Sequence, residues 1–306
     1  MSLSAQRKLS GKQVVVLGCG YVGTAVARAA HAEGARVTAL TRNPVTAAAL
    51  EADGVAVVTA DLAGEAWHGA IGAAGALVLN CVSSGGGGLD AYRHSYGGGM
   101  ESTLAWAGRR GPADTIVYTS STSVYPQGGG ATVDETAPTD GAGERGAILR
   151  AAEARLEAAG QGVCARWFVL RLAGIYGPER HHFVDQVRAG EAAGTGEHRM
   201  NLIHRDDIVT AVLAAWTAPT EVGSAICNGA DDAPARKAEV VAWVAERLGV
   251  PVPRFSGEAL SVRRGQTPDR VIANGKLKRV LGWQPRFPTF REGCESFLSR
   301  RPGPAR

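Results

Sequence analysis

Short segments rich in aliphatic residues alternate along this chain with longer stretches of helical periodicity. Segments of this kind are typical of strands that are buried on both faces of a sheet. They predict seven strands, at residues 14–17, 37–40, 55–59, 76–82, 115–120, 167–172 and 225–228. Helical stretches lie between them, for example at residues 24–33, 100–108 and 145–159. The alternation predicts an α/β fold with a doubly wound parallel sheet.

A glycine-rich turn follows the first predicted strand, and Gly18, Gly20 and Gly23 in it have the spacing GxGxxG. In a dinucleotide-binding turn the first glycine allows the tight turn, and the second lets the backbone approach a pyrophosphate. The third lets the helix pack closely on the strand. The backbone N–H groups of Tyr21 and Val22, at the start of the next helix, would face the phosphates. The turn therefore predicts a dinucleotide site.

The second predicted strand ends on Thr41 and Arg42. A site for NAD usually has Asp or Glu there, because the carboxylate holds the ribose 2′-hydroxyl. A neutral and a cationic residue suit a 2′-phosphate instead, so we expect NADP rather than NAD. The alternative is that Arg42 is simply an exposed arginine ahead of a helix.

The composition is that of a globular protein. Of the 306 residues, 45% are hydrophobic and 20% are charged, and no apolar run approaches the ~18 residues of a membrane span. The N-terminal residues are polar and lack the apolar core of a signal peptide, so we expect a cytoplasmic protein that does not bind membranes. None of the five cysteines has CxxC spacing, and we expect free thiols rather than disulfides or metal ligands.

Positive charge is concentrated toward the C-terminus. The net charge is +4, and residues 251–306 carry twelve Lys or Arg against four Asp or Glu, a net charge of +8. This basic part suits a small anionic substrate, although a solvated basic surface explains the charge equally well. Aromatic residues do not alternate with basic ones, so we expect a small-molecule substrate and no nucleic acid. The oligomeric state stays open.

Several motifs occur along the rest of the chain: Asp61-Leu62 after the third strand, YTSSTSVYP at residues 118–126, RLAGIYGPER at 171–180, NLIHRDDIV at 201–209, NGADDAP at 228–234 and KLKRVLGWQPRFPTFREG at 276–293. In this order they resemble the extended and atypical short-chain dehydrogenases/reductases, the NAD(P)-dependent epimerase/dehydratase-like family. The resemblance implies a Rossmann-type domain at residues 1–173, to which a strand near 225–228 returns, and a small C-terminal substrate lobe formed mainly by residues 174–306. It also implies cofactor contacts at Asp61 and Leu62.

Polar and glycine-rich segments outside these motifs have weaker predictions. Asp207 is predicted to cap a helix that begins near Ile208. His181 and His182 lack a second histidine at metal-ligand spacing, so a surface or substrate-loop role is expected. Glycine clusters at residues 85–88 and 97–99 flank a short segment after a strand end, which is either a ligand-binding loop or a flexible one.

The family relies on a Ser or Thr together with a Tyr and a Lys, the last two in the motif YxxxK. Ser121 corresponds to the serine by its spacing to Tyr125. None of the six tyrosines has a lysine four residues later, and no lysine occurs between Lys12 and Lys237. The chain therefore departs from the family in the pair that activates the phenol.

The helix that should carry this pair reads ERGAILRAAEARLEAAG. If Glu153 is the acidic residue often found four positions after the lysine, Arg145 and Leu149 replace Tyr and Lys. A shift of one residue gives Gly146 and Arg150. Neither register restores a phenol, and only the second supplies a positive charge at the lysine position.

A free phenol has a pKa near ~10, so ionising it at neutral pH takes about three pKa units, roughly 4 kcal/mol, from nearby positive charge. A neutral phenol can still donate a proton, which favours reduction over oxidation. We therefore expect an NADP-dependent oxidoreductase that reduces the carbonyl of a small, anionic or sugar-like substrate. Ser121 would polarise the oxygen, Tyr125 would donate the proton and Arg150 would supply charge. The alternatives are a non-catalytic dinucleotide sensor and, third, a nucleotide-sugar epimerase or dehydratase.

Overall fold

The computed structural model describes residues 8–257 and 268–298. Its strands are β1 (Gln13–Leu17), β2 (Arg36–Thr41), β3 (Ala56–Thr59), β4 (Leu77–Asn80), β5 (Ala113–Ser121), β6 (Ala131–Val133), β7 (Cys164–Leu172), β8 (Gly174–Tyr176), β9 (Arg199–Met200), β10 (Leu202–His204), β11 (Ala225–Gly229), β12 (Ala235–Arg236) and β13 (Arg270–Ile272). Its α-helices are α1 (Tyr21–Ala32), α2 (Pro44–Ala52), α3 (Leu89–Tyr92), α4 (Gly99–Arg110), α5 (Gly143–Ala159), α6 (His182–Arg188), α7 (Arg205–Thr217), α8 (Lys237–Leu248), α9 (Gly275–Leu281) and α10 (Phe290–Leu298).

A seven-stranded sheet in the order β11-β7-β5-β4-β1-β2-β3 forms the centre of the molecule, and every pairing within it is parallel. The order reverses at β1 and β4, as in doubly wound folds, where ligands bind beyond the carboxyl ends of the strands. All seven predicted strands are present in this sheet, so the predicted fold class is confirmed. Helix α1 begins three residues earlier than predicted, directly after Gly20.

Two hydrophobic clusters cover the two faces of this sheet, because residues that alternate along each strand face opposite sides. A third cluster is built around α6, α8 and α10 and includes no strand of the central sheet. The chain from β8 to α6, together with α8 and α10, is called the smaller lobe. The chain also makes three two-stranded sheets: β8 with β10, β9 with β12, and β6 with β13. Through the last of these, the C-terminal segment returns to the region that follows β5.

Helix α7 corrects one sequence prediction. The helix begins at Arg205, and its cap is His204, whose Nδ1 accepts a hydrogen bond from the Asp206 backbone N–H at 3.2 Å. Asp207 therefore does not cap the helix. Its carboxylate accepts hydrogen bonds from the backbone N–H groups of Arg286, at 2.6 Å, and Phe287, at 3.1 Å. The carboxylate thus ties the C-terminal segment to α7.

Helices α3 and α4 belong to one continuous helical segment, because a π-helical turn at Arg93–Gly98 joins them. This segment follows β4. The glycine cluster at residues 85–88 lies directly before it, and the cluster at residues 97–99 lies within it. Among the described residues, no helix is both long enough and apolar enough to cross a membrane.

Candidate active site

The glycine turn between β1 and α1 has the geometry that a dinucleotide needs. Gly18 has φ +99°, and a Cβ there would lie 2.8 Å from the backbone of Val82. A Cβ on Gly23 would lie 2.2 Å from the carbonyl oxygen of Gly18, so both positions are closed to side chains. A Cβ on Gly20 would meet no atom of the described residues within 4 Å. The space over Gly20 is therefore open at the N-terminus of α1, where a diphosphate binds most favourably.

Tyr21 joins this turn to the smaller lobe. Its hydroxyl donates a hydrogen bond to the carbonyl oxygen of Pro178 at 2.7 Å. The guanidinium carbons of Arg180 and Arg205 lie 5.5 Å and 5.1 Å from the centre of its ring. Burial raises the pKa of Tyr21 to about 12, so its hydroxyl is neutral at neutral pH. Val22 is buried in the core behind the turn.

Arg42 and Asp61 meet beyond the ends of β2 and β3. The Arg42 Nη1 lies 3.3 Å from the Asp61 Oδ2, and His94 Nε2 lies 2.9 Å from the same oxygen. Partial burial raises the pKa of Asp61, but the hydrogen bonds from His94 and the Ala63 N–H and the charges of His94 and Arg42 outweigh this and lower it. Arg42 is exposed and accessible to a ligand that binds beside the turn.

Thr41 and Leu62, the two other predicted cofactor contacts, are buried. The Thr41 Oγ1 accepts a hydrogen bond from the Asn43 N–H at 3.2 Å and so orders the start of α2. Leu62 packs against Gly99 in the core. The side chains of Thr41 and Leu62 therefore contribute packing and local order beneath the site.

Ser121 is the last residue of β5, at the carboxyl edge of the sheet. It is half-buried, and its Oγ accepts a hydrogen bond from the Ser123 N–H at 3.1 Å. The backbone that follows is held by Arg270, which is buried and donates to the carbonyl oxygens of Thr122, Tyr125 and Gln127. The position of Ser121 is thus fixed by hydrogen bonds on its C-terminal side.

Tyr125 lies in the interior, with 1% of its surface exposed. Its hydroxyl donates to Asn228 Oδ1 at 2.8 Å and accepts from Arg171 Nη1 at 2.8 Å. Burial raises the pKa of Tyr125, and the hydrogen bond and charge of Arg171 act against this rise. The phenol is therefore neutral, and both its donor and one acceptor position are occupied by protein groups.

Arg150 pairs with carboxylates of its own helix. Its Nη1 lies 2.8 Å from Glu157 Oε1 and 3.4 Å from Glu153 Oε2, and about a third of its side chain is exposed. Glu153 itself is fully buried and is bound to Arg171 and Ser120. Arg150 is thus held toward these carboxylates.

One of the two registers of α5 takes Glu153 as the family's acidic residue and Leu149 as the residue at the lysine position. Because Glu153 is buried against β7, the position four residues earlier, Leu149, faces the core and is 1% exposed. An apolar side chain therefore stands where the resemblance places the family's lysine. Arg145, at the position of the family's tyrosine, is half-buried.

Two tyrosines that sequence reasoning missed lie beside Arg145. The rings of Tyr92 and Tyr96 are 4.6 Å apart, and the Arg145 guanidinium carbon is 5.3 Å from the centre of the Tyr92 ring. Both tyrosines are half-buried. Their spacing of four residues, between two glycine clusters after a buried strand, is the signal by which they could have been found.

The five cysteines are free thiols, of which four are buried and Cys81 is half-buried. The Cys81 Sγ lies 3.1 Å from the carbonyl oxygen of Gly18 and fills the space behind the glycine turn. Burial raises its pKa well above the usual value, so it contributes packing rather than a thiolate. Within the described residues, no cluster of three metal-binding side chains occurs.

Comparison with known proteins agrees with this geometry. The model of the NAD dependent epimerase/dehydratase family matches residues 14–228. The chain is 35% identical over 176 residues to Protein YeeZ of Escherichia coli K12, which covers 56% of this chain and 58% of YeeZ. It is 30% identical over 212 residues to a 3-diazoavenalumate denitrifying reductase of Streptomyces, which covers 63% of this chain and 66% of that protein. The alignments thus span less than two thirds of the length of these curated relatives.

A solved structure described as an NAD-dependent epimerase/dehydratase from Methylobacillus flagellatus has a TM-score of 0.75 and 26% identity to this chain. The superposition covers 95% of this chain and 98% of the other. The family model extends from the first residues of β1 through most of β11, and it includes the glycine turn, Ser121 and the buried Glu153. The chain belongs to the NAD dependent epimerase/dehydratase family.

Proposed function

We propose that this protein is an NAD(P)H-dependent reductase of a small carbonyl compound. The observation that carries the proposal is the buried Leu149 at the place of the family's lysine, in a protein that keeps an open glycine turn. An enzyme that begins by oxidising its substrate needs a phenolate base, and positive charge must lower the pKa of that phenol. A reductase needs only a neutral acid, which this site can supply.

The residues of the glycine turn fit a dinucleotide cofactor. The open space over Gly20 and the N-terminus of α1 would receive the diphosphate, and Arg42 would lie near the adenosine ribose. When bound, the reduced dinucleotide supplies a hydride. The cationic Arg42 supports NADP over NAD, because a guanidinium binds a phosphate by charge-assisted hydrogen bonds.

Ser121 is the residue that we propose to polarise the substrate oxygen, because its hydroxyl lies at the carboxyl edge of the sheet. Tyr125 and Arg150 are less suited to catalysis than the sequence suggests. The Tyr125 hydroxyl is bonded to Asn228 and Arg171, and Arg150 is bonded to carboxylates of α5.

Charge near the site supports a small anionic substrate. Arg180 lies over the ring of Tyr21 at the glycine turn, and Arg145 lies over the ring of Tyr92 on the segment after β4. The Streptomyces relative is named a reductase of a diazo compound, which supports the direction of electron transfer although not the identity of the substrate. An epimerase is less well supported, since it needs the oxidising step.

A second candidate is a dinucleotide sensor without catalysis. The interior hydrogen bonds of Tyr125 and the pairing of Arg150 with carboxylates of its own helix favour it, since both predicted groups are engaged by the protein. The sensor would bind the dinucleotide in the same turn and would transfer no hydride.

The deciding experiment combines binding and hydride transfer. NADPH and NADH are titrated by calorimetry, and the purified protein is then incubated with NADPH that carries deuterium at nicotinamide C4. Nitrobenzaldehyde and pyruvate serve as carbonyl probes, because each gives an alcohol that keeps the transferred deuterium on carbon. Deuterium in an alcohol product supports the reductase, whereas tight binding with no deuterium transfer to any probe favours the sensor. Failure of both dinucleotides to bind would refute both functions.

A further inference from the structure

Tyr92 and Tyr96 lie on the helical segment that follows β4, Tyr92 as the last residue of α3 and Tyr96 within the π-helical turn, which sets their relative orientation. A π-turn adds one residue to a helical turn and occurs often at functional sites. Here the two rings lie 4.6 Å apart, at an interplanar angle of 52°. The segment thus holds two phenols side by side.

The pair belongs to the segment that leaves the sheet after β4, at the carboxyl edge where a hydride acceptor would bind. Strand β4 pairs with β5 so that Asn80, its last residue, is opposite Tyr118. Strand β5 ends at the same edge on Ser121. The Tyr96 hydroxyl is hydrogen-bonded to the backbone of Ser84, in this same stretch.

Arg145 approaches the pair from α5. It occupies the position at which the register of Glu153 places the family's tyrosine, and its guanidinium carbon lies 5.3 Å from the centre of the Tyr92 ring. A cation this close to the ring favours a phenol that develops negative charge. The site thus has a phenol beside a cation, as the family does. Here, however, the phenol comes from the segment after β4 and the cation from α5.

We propose that Tyr92 is the proton donor of this enzyme, with Arg145 as the positioning residue that stabilises the phenolate. The inference rests on the proposed reductase function and names the acid of that site. Tyr96 packs against Tyr92 and holds its ring in place.

The proton balance of carbonyl reduction requires such a donor. The carbonyl carbon gains a hydride, the carbon–oxygen π bond breaks and its electron pair stays on the oxygen. The oxygen then takes the phenolic proton of Tyr92, so that the products are an alcohol and a tyrosinate, and solvent returns a proton to the tyrosinate. No oxidant or reductant other than the dinucleotide is needed.

Tyr92 is better placed than the other phenols near the site. Tyr125 is 1% exposed, and its hydroxyl is occupied by Asn228 and Arg171. For Tyr96, burial raises the pKa, and the neighbouring Tyr92 raises it further, while the Ser84 backbone and Arg180 lower it. The Tyr96 hydroxyl is thus bound by the Ser84 backbone, whereas the Arg145 guanidinium lies over the ring of Tyr92.

The first experiment compares Tyr92→Phe with Tyr125→Phe, each of which keeps the ring and removes the hydroxyl. Turnover is measured with NADPH and whichever carbonyl probe the wild type reduces. We expect Tyr92→Phe to lower kcat by about 10²–10⁴-fold, the usual effect of a positioned acid, with the Kd of NADPH unchanged. Its primary isotope effect with C4-deuterated NADPH should rise, because the hydride step becomes fully rate-limiting.

The second experiment varies Arg145. We expect Arg145→Leu to lower kcat at least tenfold and Arg145→Lys to restore part of it, since a lysine keeps the charge without the planar shape. A purely structural role for Arg145 would instead reduce stability or NADPH affinity in both variants.

The outcomes separate the two proposals. Wild-type turnover that persists in Tyr92→Phe would overturn Tyr92 as the donor and leave the reductase intact. A lower NADPH affinity in Tyr92→Phe, with unchanged kcat and isotope effect, would also overturn it, because the role would then be structural. A wild type that binds NADPH without hydride transfer would refute the reductase and, with it, this inference.

Discussion

Glu153 and Arg171 form a buried ion pair, in which the Arg171 Nη2 lies 2.7 Å from the Glu153 Oε2 and neither side chain is more than 3% exposed. The pair joins α5 to β7 beneath the proposed site. Ser120 donates to the other oxygen of Glu153 at 2.5 Å, and Arg171 also donates to the Tyr125 hydroxyl. The pair therefore fixes the end of β5 and the start of the segment that follows it.

Removing one partner of this pair should strongly destabilise the fold. We expect Glu153→Gln to lower the free energy of unfolding by about 3–5 kcal/mol, because it leaves the Arg171 guanidinium buried without a countercharge. Urea denaturation measures the change. Arg150→Gln is the matched control, since that partly exposed pair should contribute less than about 1 kcal/mol. Equal losses of unfolding free energy in the two variants would show that burial does not make the Glu153–Arg171 pair contribute more than the partly exposed pair.

The sequence predicted the seven central strands because their aliphatic residues are continuous and local. The sequence left two registers open for α5, because the burial of Glu153 and its pairing with Arg171 depend on the packing of α5 against β7. The partners of Asp207 could not be predicted, because Arg286 and Phe287 lie about 80 residues further along the chain. A helix cap was the only local explanation for that carboxylate, and it was wrong.

The Tyr92–Arg145 contact was missed for a related reason. It depends on a π-helical turn after Tyr92 and on the packing of two helical segments that are far apart in sequence. Neither the π-helical turn nor the packing of these two segments produces a signal in the hydrophobic periodicity of the sequence. By contrast, the roles of Gly18 and Gly23 were predictable, because their spacing alone specifies close backbone packing.

The glycine turn can be tested without loss of the fold. Gly20 has a negative φ of −92°, and a Cβ there meets no described atom within 4 Å. We therefore expect Gly20→Val to fold normally and to lose at least tenfold in affinity for both NADPH and NADH, because the side chain fills the diphosphate space. Calorimetric titration measures the affinities, and Gly69→Ala, on an exposed turn, is the control. Unchanged affinity in a folded Gly20→Val variant would refute the placement of the cofactor.

Asp231 should make stability depend on pH. The residue is 4% exposed. Burial, together with the negative charges of Asp232, Asp207 and Glu292, raises the pKa of its carboxyl to about 8, although a hydrogen bond from the Ala233 N–H acts against the rise. The folded state thus holds this proton more tightly than the unfolded state, whose carboxyl has the usual value of 3.8. The stabilisation is complete at acid pH and is lost as the pH rises toward 8.

Asp231→Asn removes this titration. We expect the stability of the variant relative to wild type to increase between about pH 5 and pH 8, by up to roughly 4 kcal/mol. Thermal unfolding over that range measures the difference. Asp90→Asn is the control, because the Asp90 side chain is 99% exposed. A constant difference between Asp231→Asn and wild type would show that Asp231 ionises equally in the folded and unfolded states.

The preference for NADP depends on Arg42. Its guanidinium is exposed beyond β2 and pairs with the Oδ2 of Asp61. His94 contacts the same oxygen. We expect NADPH to bind more tightly than NADH, and Arg42→Ala to reduce this difference by about 1–3 kcal/mol, the range for charge-assisted hydrogen bonds, with NADH affinity unchanged. Arg28→Ala is the matched control, because Arg28 is also an exposed arginine paired with an aspartate, at 2.6 Å from Asp53. Calorimetric titrations of both dinucleotides against all three proteins measure the selectivity. Equal affinities in the wild type would contradict the preference, and an equal effect of Arg28→Ala would assign it to general surface charge.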